Sequence, residues 1–330
     1  MTTICVDVKG GDCEPQVVLD GIAEALKADP ELRVLVAGPE DVVAPFCAGG
    51  DRLVALPCTE AIAMDEHPAE AVRNKKDSTI VRGCMAVRSG DADGFFSAGS
   101  TGAIFAASTL GVGRIKGIKR PALAIALPGL SGRKTVMLDL GANADVRPEM
   151  IVQFAHMGRA YARVVLGVDD PRVALLSNGS EETKGSELAL SYHEELSGAG
   201  DWFAGNAEGG DLLAGTYDVI VTDGFTGNVA LKSLEGTAKY IIGALKRVTK
   251  ESKRAAAGAL MLKPALKDIA RDLSGDELGG AILLGLKAPV LIGHGSTSVD
   301  AVKHGTLATA AAVRGGLVDK IAQAIISDND

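Results

Sequence analysis

The chain repeats one pattern, a short apolar run that ends in a loop of small and polar residues. Eight runs have this form, at residues 4–8, 34–37, 95–96, 136–140, 173–176, 203, 219–221 and 290–292. Short runs that are apolar on both faces are typical of buried parallel strands. In open α/β sheets, ligands bind beyond the carboxyl ends of the strands. The pattern therefore predicts that the polar loops gather there and carry the chemistry.

Helical patterns lie between these runs, at residues 15–27, 68–88, 101–110, 148–166, 187–196 and 228–250. Pro15, Pro68 and Pro148 stand at first-turn positions, where a missing N–H costs little. Alternating strands and helices imply right-handed βαβ units. No linker-like tract or internal repeat divides the sequence. We predict an α/β fold with three α/β/α layers and a mostly parallel sheet, formed by one domain over residues 1–330.

Composition and charge narrow the class of protein. Hydrophobic residues make up 47% of the chain but aromatic residues only 4%, which favours an Ala/Val/Leu/Ile core between helices and a sheet. The formal net charge of −8 argues against general binding of nucleic acid. The five cysteines show no C-x-x-C spacing, as expected of reduced thiols. With no secretory signal and no apolar stretch near the roughly 20 residues of a spanning helix, we expect a soluble cytoplasmic protein.

One segment, residues 239–272, reverses the charge of the chain. It holds nine basic residues and three acidic ones around an apolar centre at residues 257–262. Pro264 is expected to break the helical pattern, which predicts a protruding hairpin of two helices. Solvated lysines on a surface or dimer-contact helix pair are the plainer alternative. The hypothesis is reversible docking to an anionic bilayer. The contact would be made by Leu260, Met261, Leu262, Lys253 and Arg254.

Two glycine-containing loops open into helices and could offer backbone N–H groups to an anion. They are Ser100-Thr101-Gly102 and Gly227-Asn228. Neither matches the phosphate-binding motif of nucleoside triphosphatases or the dinucleotide fingerprint. A tight strand-to-helix turn without a ligand explains each loop equally well.

Several charged and polar side chains follow strands directly. Lys184 could bind phosphate or stabilise an oxyanion, Asp223 could orient a donor, and Asn228 could donate an amide N–H. Their structural alternatives are a solvated lysine, a turn aspartate and a helix N-cap. His294 could act as a general acid or base. The other histidines and Cys13 are interpreted as structural, and no spacing predicts a metal site or a cofactor.

Seven motifs stand in order between residue 4 and about residue 305. They are Gly10-Gly11-Asp12 with Pro15, the stretch 97–103, Asp139-Leu140-Gly141-Ala142-Asn143, the stretch 175–185, the stretch 205–211, the stretch 223–232 and His294-Gly295-Ser296. Together they resemble the acyl-acyl-carrier-protein:phosphate acyltransferase family of bacterial phospholipid synthesis. Four positions depart from that family's usual pattern: Lys9, Ser100, Ser177 and Gly210. Ser100 puts a side-chain amide role at its position in doubt, and Gly210 is not assigned to the site.

The resemblance implies transfer of a long-chain acyl group from acyl carrier protein to inorganic phosphate, giving acyl phosphate for a membrane glycerol 3-phosphate acyltransferase. It also implies a homodimer and a Rossmann-like fold related to phosphotransacetylases and isopropylmalate dehydrogenases. Lys184, Asn228, Asp223 and His294 would be catalytic, with His294 protonating the leaving thiolate. Substrate would be bound by Gly11, Asp12, Ser100, Thr101, Gly102, Asn143, Asn206 and Glu208.

Phosphate is itself a nucleophile, so the absence of a Ser-His or Cys-His signature agrees with this reaction. The closest rival is a phosphotransacetylase or phosphotransbutyrylase that uses acyl-CoA. A dehydrogenase of the isopropylmalate type would need a metal-binding aspartate cluster, which the sequence does not indicate. A membrane-associated scaffold for lipid enzymes would explain the basic segment but not the polar loops.

Overall fold

The computed structural model describes residues 1–251, 257–262, 279–295 and 297–327. Its strands form one sheet of eleven. They are β1 (Thr2–Asp7), β2 (Leu32–Gly38), β3 (Leu53–Pro57), β4 (Gly94–Ser97), β5 (Ala122–Pro128), β6 (Lys134–Leu138), β7 (Val173–Leu176), β8 (Phe203–Ala207), β9 (Val219–Val221), β10 (Ala281–Leu284) and β11 (Val290–Ile292). All eight predicted strands are present.

The helices connect these strands in the order that the pattern predicts. They are α1 (Pro15–Ala28), α2 (Glu40–Cys47), α3 (Pro68–Asn74), α4 (Thr79–Ser89), α5 (Thr101–Gly111), α6 (Pro148–Val165), α7 (Glu187–Ala199), α8 (Gly224–Glu251), α9 (Val299–Arg314) and α10 (Leu317–Ser327). Pro15, Pro68 and Pro148 each begin a helix, as predicted.

The sheet order is β3-β2-β1-β4-β11-β10-β5-β6-β9-β7-β8. Neighbouring strands are parallel except in three consecutive pairs, β11–β10, β10–β5 and β5–β6, which are antiparallel. The reversals mean that β6, β9, β7 and β8 run opposite to β1, β4 and β11. The prediction of a large, mostly parallel sheet is confirmed. The carboxyl ends, however, form two sets rather than the single one that the sequence suggested.

The core has two layers because successive side chains of a strand face opposite sides of the sheet. Ile4 and Val6 of β1 belong to one hydrophobic cluster, together with α1, α6 and α9. Cys5 belongs to the other cluster, which α4 and α5 cover. Helices on both faces give the three α/β/α layers that were predicted.

The single helix predicted over residues 68–88 is wrong. The chain leaves α3 at Lys75, which is not helical, and enters α4 after Ser78. The Ser78 hydroxyl accepts a hydrogen bond from the Val81 N–H at 3.5 Å. Serine competes with helical hydrogen bonding in this way, so it favours helix starts over helix interiors.

The basic segment is described only in part. Helix α8 extends to Glu251 and residues 257–262 are helical, but Lys253, Arg254 and Pro264 lie outside the described residues. Leu260, Met261 and Leu262 are exposed. In the part of the chain that the structure describes, no helix is long and apolar enough to cross a membrane.

Candidate active site

The loops after β1, β4 and β11 meet at one end of the sheet. Gly11 has a φ of 83°, and a Cβ built on it would lie 2.7 Å from the Gly295 oxygen and 2.9 Å from the Ala98 oxygen. The Asp12 N–H donates to the Gly295 carbonyl at 2.9 Å. A larger residue at position 11 would therefore separate these three loops, which we call the first loop set.

The buried carboxylate of Asp7 holds together the strand ends that carry the first loop set. The Ser97 hydroxyl donates to Asp7 Oδ2 at 2.7 Å and accepts from the Gly99 N–H at 3.0 Å. The Lys9 N–H donates to Asp7 Oδ1 at 2.9 Å. Burial raises the pKa of Asp7 above its ordinary value, although these hydrogen bonds oppose the shift. Asp7 thus ties the ends of β1 and β4 together.

The start of α5 belongs to the same set. Ser100 is buried directly before the helix, and Thr101, the first helical residue, is exposed. A Cβ on Gly102 would lie 2.7 Å from Pro68 Cγ, so this turn is closely covered by α3. His294 is exposed on the loop after β11, next to the glycine that contacts Asp12.

The loop after β6 is organised by the buried carboxylate of Asp139. Its Oδ1 accepts from the N–H groups of Leu123 and Ala142 at 2.9 and 3.1 Å. Its Oδ2 accepts from the backbone and side-chain nitrogens of Asn143 at 2.7 and 2.9 Å. Burial raises the pKa of Asp139, again against the effect of its hydrogen bonds. Asn143 is therefore fixed by Asp139 rather than free to turn toward a ligand.

Helix α8 begins against this loop. The Gly224 N–H donates to the Asn143 carbonyl at 2.8 Å. A Cβ on Gly227 would overlap the carbonyl oxygen of Asp139. One turn into the helix, Asn228 lies beside Gly141, whose Cβ position would be 3.4 Å from Asn228 Cβ. The close approach of glycines brings Asn228 to the loop after β6.

Asp223, and not Asn228, caps helix α8. The Asp223 carboxylate accepts from the Thr226 N–H and the Thr226 hydroxyl, both at 2.8 Å. Because α8 begins at Gly224, the predicted start at Asn228 and its interpretation as an N-cap are wrong. Asn228 is exposed and lies inside the first turns, so its amide is not used for capping.

Lys184 lies on the loop between β7 and α7. Its backbone N–H donates to the Glu181 carbonyl at 3.0 Å, and its carbonyl accepts from the Ser177 hydroxyl at 3.3 Å. A Cβ on Gly179 would lie 2.7 Å from Lys184 Cγ and 3.1 Å from Glu181 Oε2. The aliphatic part of the Lys184 side chain thus packs over Gly179, and the residue is exposed at the loop surface.

Asn206, at the end of β8, joins this loop to α7. Its Nδ2 donates to the Glu181 carbonyl at 2.9 Å, and its Oδ1 lies 2.9 Å from Nδ1 of His193. Since the Asn206 oxygen can only accept, His193 Nδ1 carries a proton and donates. The His193 ring packs edge-on against Phe203, with centroids 5.2 Å apart. His193 therefore holds Asn206, and Asn206 holds the loop that carries Lys184.

Glu208 has a capping role. Its carboxylate accepts from the backbone of Asp211, and the Asp211 carboxylate accepts from the Glu208 N–H at 2.8 Å. This reciprocal pair begins the 3₁₀ helix Gly209–Leu213. The carboxylate of Glu208 is thus already engaged at the end of β8.

A cavity of about 330 Å³ lies between two parts of the chain. On one side are the Lys184 loop and the start of α7, and on the other side is the start of α8. Polar and apolar groups contribute about equally to its wall, much of which comes from loops that follow β7 and β9. It is lined by Leu176, Ser177, Asn178, Gly185, Ser186, Ala189, Tyr192, Thr222, Asp223 and Thr226. We call it the α7–α8 cavity.

The predicted residues divide between the two sets of strand ends. The first loop set contains Gly11, Asp12, Ser100, Thr101, Gly102 and His294. The second, formed by the loops after β6, β7, β8 and β9, contains Asn143, Lys184, Asn206, Glu208, Asp223 and Asn228. In the first set, the contacts join the loops that carry Gly11, Asp12 and His294. In the second set, they join Asn143 to the start of α8 and Asn206 to the Lys184 loop, and the cavity lies between these two groups.

Sequence reasoning missed three supporting side chains. Asp7 is the last residue of β1 and Asp139 directly follows β6, but the local sequence does not show that their carboxylates point into the protein. His193 was interpreted as structural because it lies within a helical pattern. The polar motif around Asn206 was visible, whereas its partner on α7 is defined only by the fold.

Comparison with known proteins gives the relationship. The chain matches the family model described as "Fatty acid synthesis protein" over residues 2–320. It is 46% identical to a phosphate acyltransferase from Limosilactobacillus reuteri, covering 96% of this chain and 94% of that protein. It is 45% identical to one from Lysinibacillus sphaericus, with 91% of each covered.

Among solved structures, a phosphotransacetylase from Streptococcus pyogenes aligns with a TM-score of 0.61 and 18% identity, covering 95% of this chain and 94% of that one. At that identity the likeness concerns the fold alone, and it agrees with the predicted three-layer α/β/α fold with a mostly parallel sheet. The resemblance found in the loop motifs is confirmed by the sequence matches over nearly the whole chain. The chain belongs to the phosphate acyltransferase family.

Proposed function

We propose that this acyltransferase moves a long-chain fatty acyl group from acyl-acyl carrier protein to inorganic phosphate and forms acyl phosphate. The observation that carries the proposal is the match, over nearly the full chain, to relatives named phosphate acyltransferase. The polar loops at the strand ends supply groups suited to an anionic substrate and a developing oxyanion.

The reaction needs positioning more than covalent catalysis. A phosphate oxygen attacks the thioester carbonyl carbon, a C–O bond forms, and the C–S bond breaks. The thiolate of the carrier protein leaves and takes up the proton that phosphate loses. No covalent enzyme intermediate is required, so the enzyme must hold both substrates together and stabilise the oxyanion.

We assign the oxyanion to the second loop set. The ammonium group of Lys184 would supply positive charge, and the amide of Asn228, which is free of a capping role, would donate a hydrogen bond. Asp223, Asn143 and Asn206 would orient these groups. Their own hydrogen bonds to α8, to Asp139 and to the Lys184 loop support positioning roles.

We assign phosphate to the first loop set of a partner subunit in a homodimer, because β4 and β11 run opposite to β6, β7 and β9, so that within one chain the two sets lie at opposite edges of the sheet. The backbone N–H groups around Ser100, Thr101 and Gly102 open α5, where the helix dipole favours an anion. Gly11 and Asp12 complete the wall, and His294 would protonate the thiolate. Glu208 remains a proposed substrate contact through its backbone, because its carboxylate caps the 3₁₀ helix.

The test supplies the purified chain with long-chain acyl-acyl carrier protein and phosphate and traps acyl phosphate with hydroxylamine. We expect a hydroxamate whose yield depends on phosphate. A parallel reaction with acyl-CoA separates this function from that of a phosphotransacylase. Faster turnover of acyl-CoA would assign the chain to the rival class. A requirement for a nicotinamide cofactor or a divalent metal would reject both.

Membrane contact would suit a poorly soluble product that a membrane glycerol 3-phosphate acyltransferase consumes. We propose peripheral binding of this cytoplasmic enzyme to anionic bilayers through residues 257–262, supported by the exposure of Leu260, Met261 and Leu262. Replacing Leu260 and Leu262 with Glu should abolish co-sedimentation with phosphatidylglycerol vesicles and leave activity in solution intact. Unchanged co-sedimentation would show that the segment does not bind the bilayer and is an ordinary protein surface.

We also propose a homodimer. The second half of α8 exposes apolar side chains, among them Tyr240, Ile241 and Leu245, that a partner subunit would cover. Sedimentation velocity should give a dimer for the wild type and a monomer for Ile241→Glu. A monomeric wild type would contradict the proposal.

A further inference from the structure

The α7–α8 cavity presents unused hydrogen-bonding groups beside apolar surface. Ser186 accepts from the Ala189 N–H at 3.2 Å, so its hydroxyl proton is available. The exposed amide of Asn178 offers both a donor and an acceptor. Leu176 and Ala189 contribute hydrocarbon. Tyr192 also lines the cavity, and its hydroxyl donates to the Val146 carbonyl at 2.7 Å.

The charge of the wall argues against an anion in this cavity. Among the described residues that line the cavity, none is a lysine or an arginine, and Asp223 carries a carboxylate. Each Asp223 oxygen accepts one hydrogen bond from Thr226 and retains capacity for a second. Asp223 can therefore accept a hydrogen bond from an N–H or O–H donor of a ligand. It would repel phosphate, which carries charge of the same sign. The lining suits a neutral ligand with amide and hydroxyl groups and some hydrocarbon.

We propose that the α7–α8 cavity binds the pantetheine portion of the thioester substrate. This inference rests on the proposed function, which supplies an acyl group carried as a thioester on the phosphopantetheine arm of a carrier protein. That arm contains two amides, a hydroxyl and a dimethyl-substituted carbon, and it is neutral between its phosphate and its sulfur. Asp223 would accept hydrogen bonds from the amide N–H groups or the hydroxyl, and Asn178 could both donate to and accept from the amides. Leu176, Ala189 and the Tyr192 ring would contact the methyl groups.

Size and position agree with this occupant. The volume of about 330 Å³ falls at the lower end of the range typical of small-molecule pockets, roughly 300–1,000 Å³. Gly185, which lines the cavity, directly follows Lys184. An arm held here would approach the thioester carbonyl from the side of the lysine assigned to the oxyanion.

The test is an NMR titration of the full chain with reduced pantetheine, with N-acetylcysteamine as the truncated probe and with inorganic phosphate. Ala189→Leu fills the cavity and keeps a good helix former in α7. Asn178→Ala removes one polar contact from an exposed loop position, so it serves if the first variant fails to fold. Ser197→Leu, at an exposed position of α7 outside the cavity, is the matched control.

Pantetheine should bind the wild type and Ser197→Leu equally, and at least about 10-fold more tightly than N-acetylcysteamine, which corresponds to about 1.4 kcal/mol. Ala189→Leu and Asn178→Ala should each lose most of that preference and leave phosphate binding unchanged. Unchanged pantetheine affinity in both folded variants, or loss of phosphate affinity instead, would overturn the assignment. Phosphate-dependent turnover by the wild type tests the proposed function separately, so either idea can fail alone.

Discussion

At the scale of single residues, the chain separates groups that face substrate from groups that hold them. Lys184 and Asn228 are exposed, whereas Asp7 and Asp139 are buried and occupied by hydrogen bonds. The exposed pair was predicted, because polar residues after strands are visible in the sequence. The supporting carboxylates were not, because their partners come from distant segments.

Lys184→Ala and Asn228→Ala should each lower kcat by about 10²-fold, as removal of an oxyanion donor does. Neither side chain is buried, so the thermal unfolding temperature should stay close to that of the wild type. Lys27→Ala, which removes an exposed lysine paired with Glu24 on α1, is the control and should be fully active. A wild-type rate in either site variant would remove that residue from the proposed mechanism.

His193 allows a sharper test, because Asn and Asp are nearly isosteric and differ in their ability to donate. In His193→Asn, the side-chain amide can replace the Nδ1–H donor toward Asn206. In His193→Asp, Asn206 must either face a carboxylate with its oxygen or turn and lose its bond to the Glu181 carbonyl. We expect kcat/KM to fall about 10-fold in the Asp variant and to stay near the wild-type value in the Asn variant.

Steady-state kinetics and thermal unfolding should be measured on both His193 variants. A positioning role predicts that the two differ in kcat/KM more than in unfolding temperature. Equal losses of activity in the Asn and Asp variants would show that the donor to Asn206 is irrelevant.

At the scale of elements, the sequence predicts strands and helices best where a buried strand ends in a polar loop. The missed strands β3, β5 and β10 lack that loop signal: β3 is a half-buried edge strand, and β5 and β10 form the antiparallel centre. The start of α8 was misplaced by four residues, because Gly224 and Gly227 suggest a turn. Both glycines are required because α8 packs closely against the loop of residues 139–143, and no local sequence pattern reveals that contact.

Gly227→Ala should lower the free energy of unfolding by about 2 kcal/mol or more, since its methyl group would overlap the Asp139 carbonyl. Gly236→Ala is the matched control on the same helix, where a Cβ meets nothing within 4 Å. That change should stabilise the protein by roughly 0.5–1 kcal/mol through helix propensity. Urea unfolding measures both, and equal effects would contradict the tight docking of α8.

At the scale of the whole molecule, the eleven strands that the structure describes lie in one sheet despite three reversals of direction. We propose that residues 1–330 form one domain, because β10 and β5 join β11 of one parallel group to β6 of the other by hydrogen bonds. The reversals could not be predicted, since they depend on two strands that carry no polar-loop signal. They are what divides the predicted site residues into two sets.

Differential scanning calorimetry should therefore give one unfolding transition, with equal calorimetric and van't Hoff enthalpies per cooperative unit. Addition of phosphate should move that single transition to higher temperature, because a ligand of the native state stabilises it by mass action. Two transitions, only one of which responds to phosphate, would show that the two parallel groups unfold as separate domains.

In the proposed reaction phosphate, and not water, receives the acyl group. Phosphorus NMR during turnover of long-chain acyl-acyl carrier protein tests this directly, with free thiol measured in the same sample. We expect an acyl phosphate signal that grows in equal amount with the released thiol and is absent without phosphate. Thiol release that proceeds at the same rate without phosphate, with free fatty acid as the product, would contradict it.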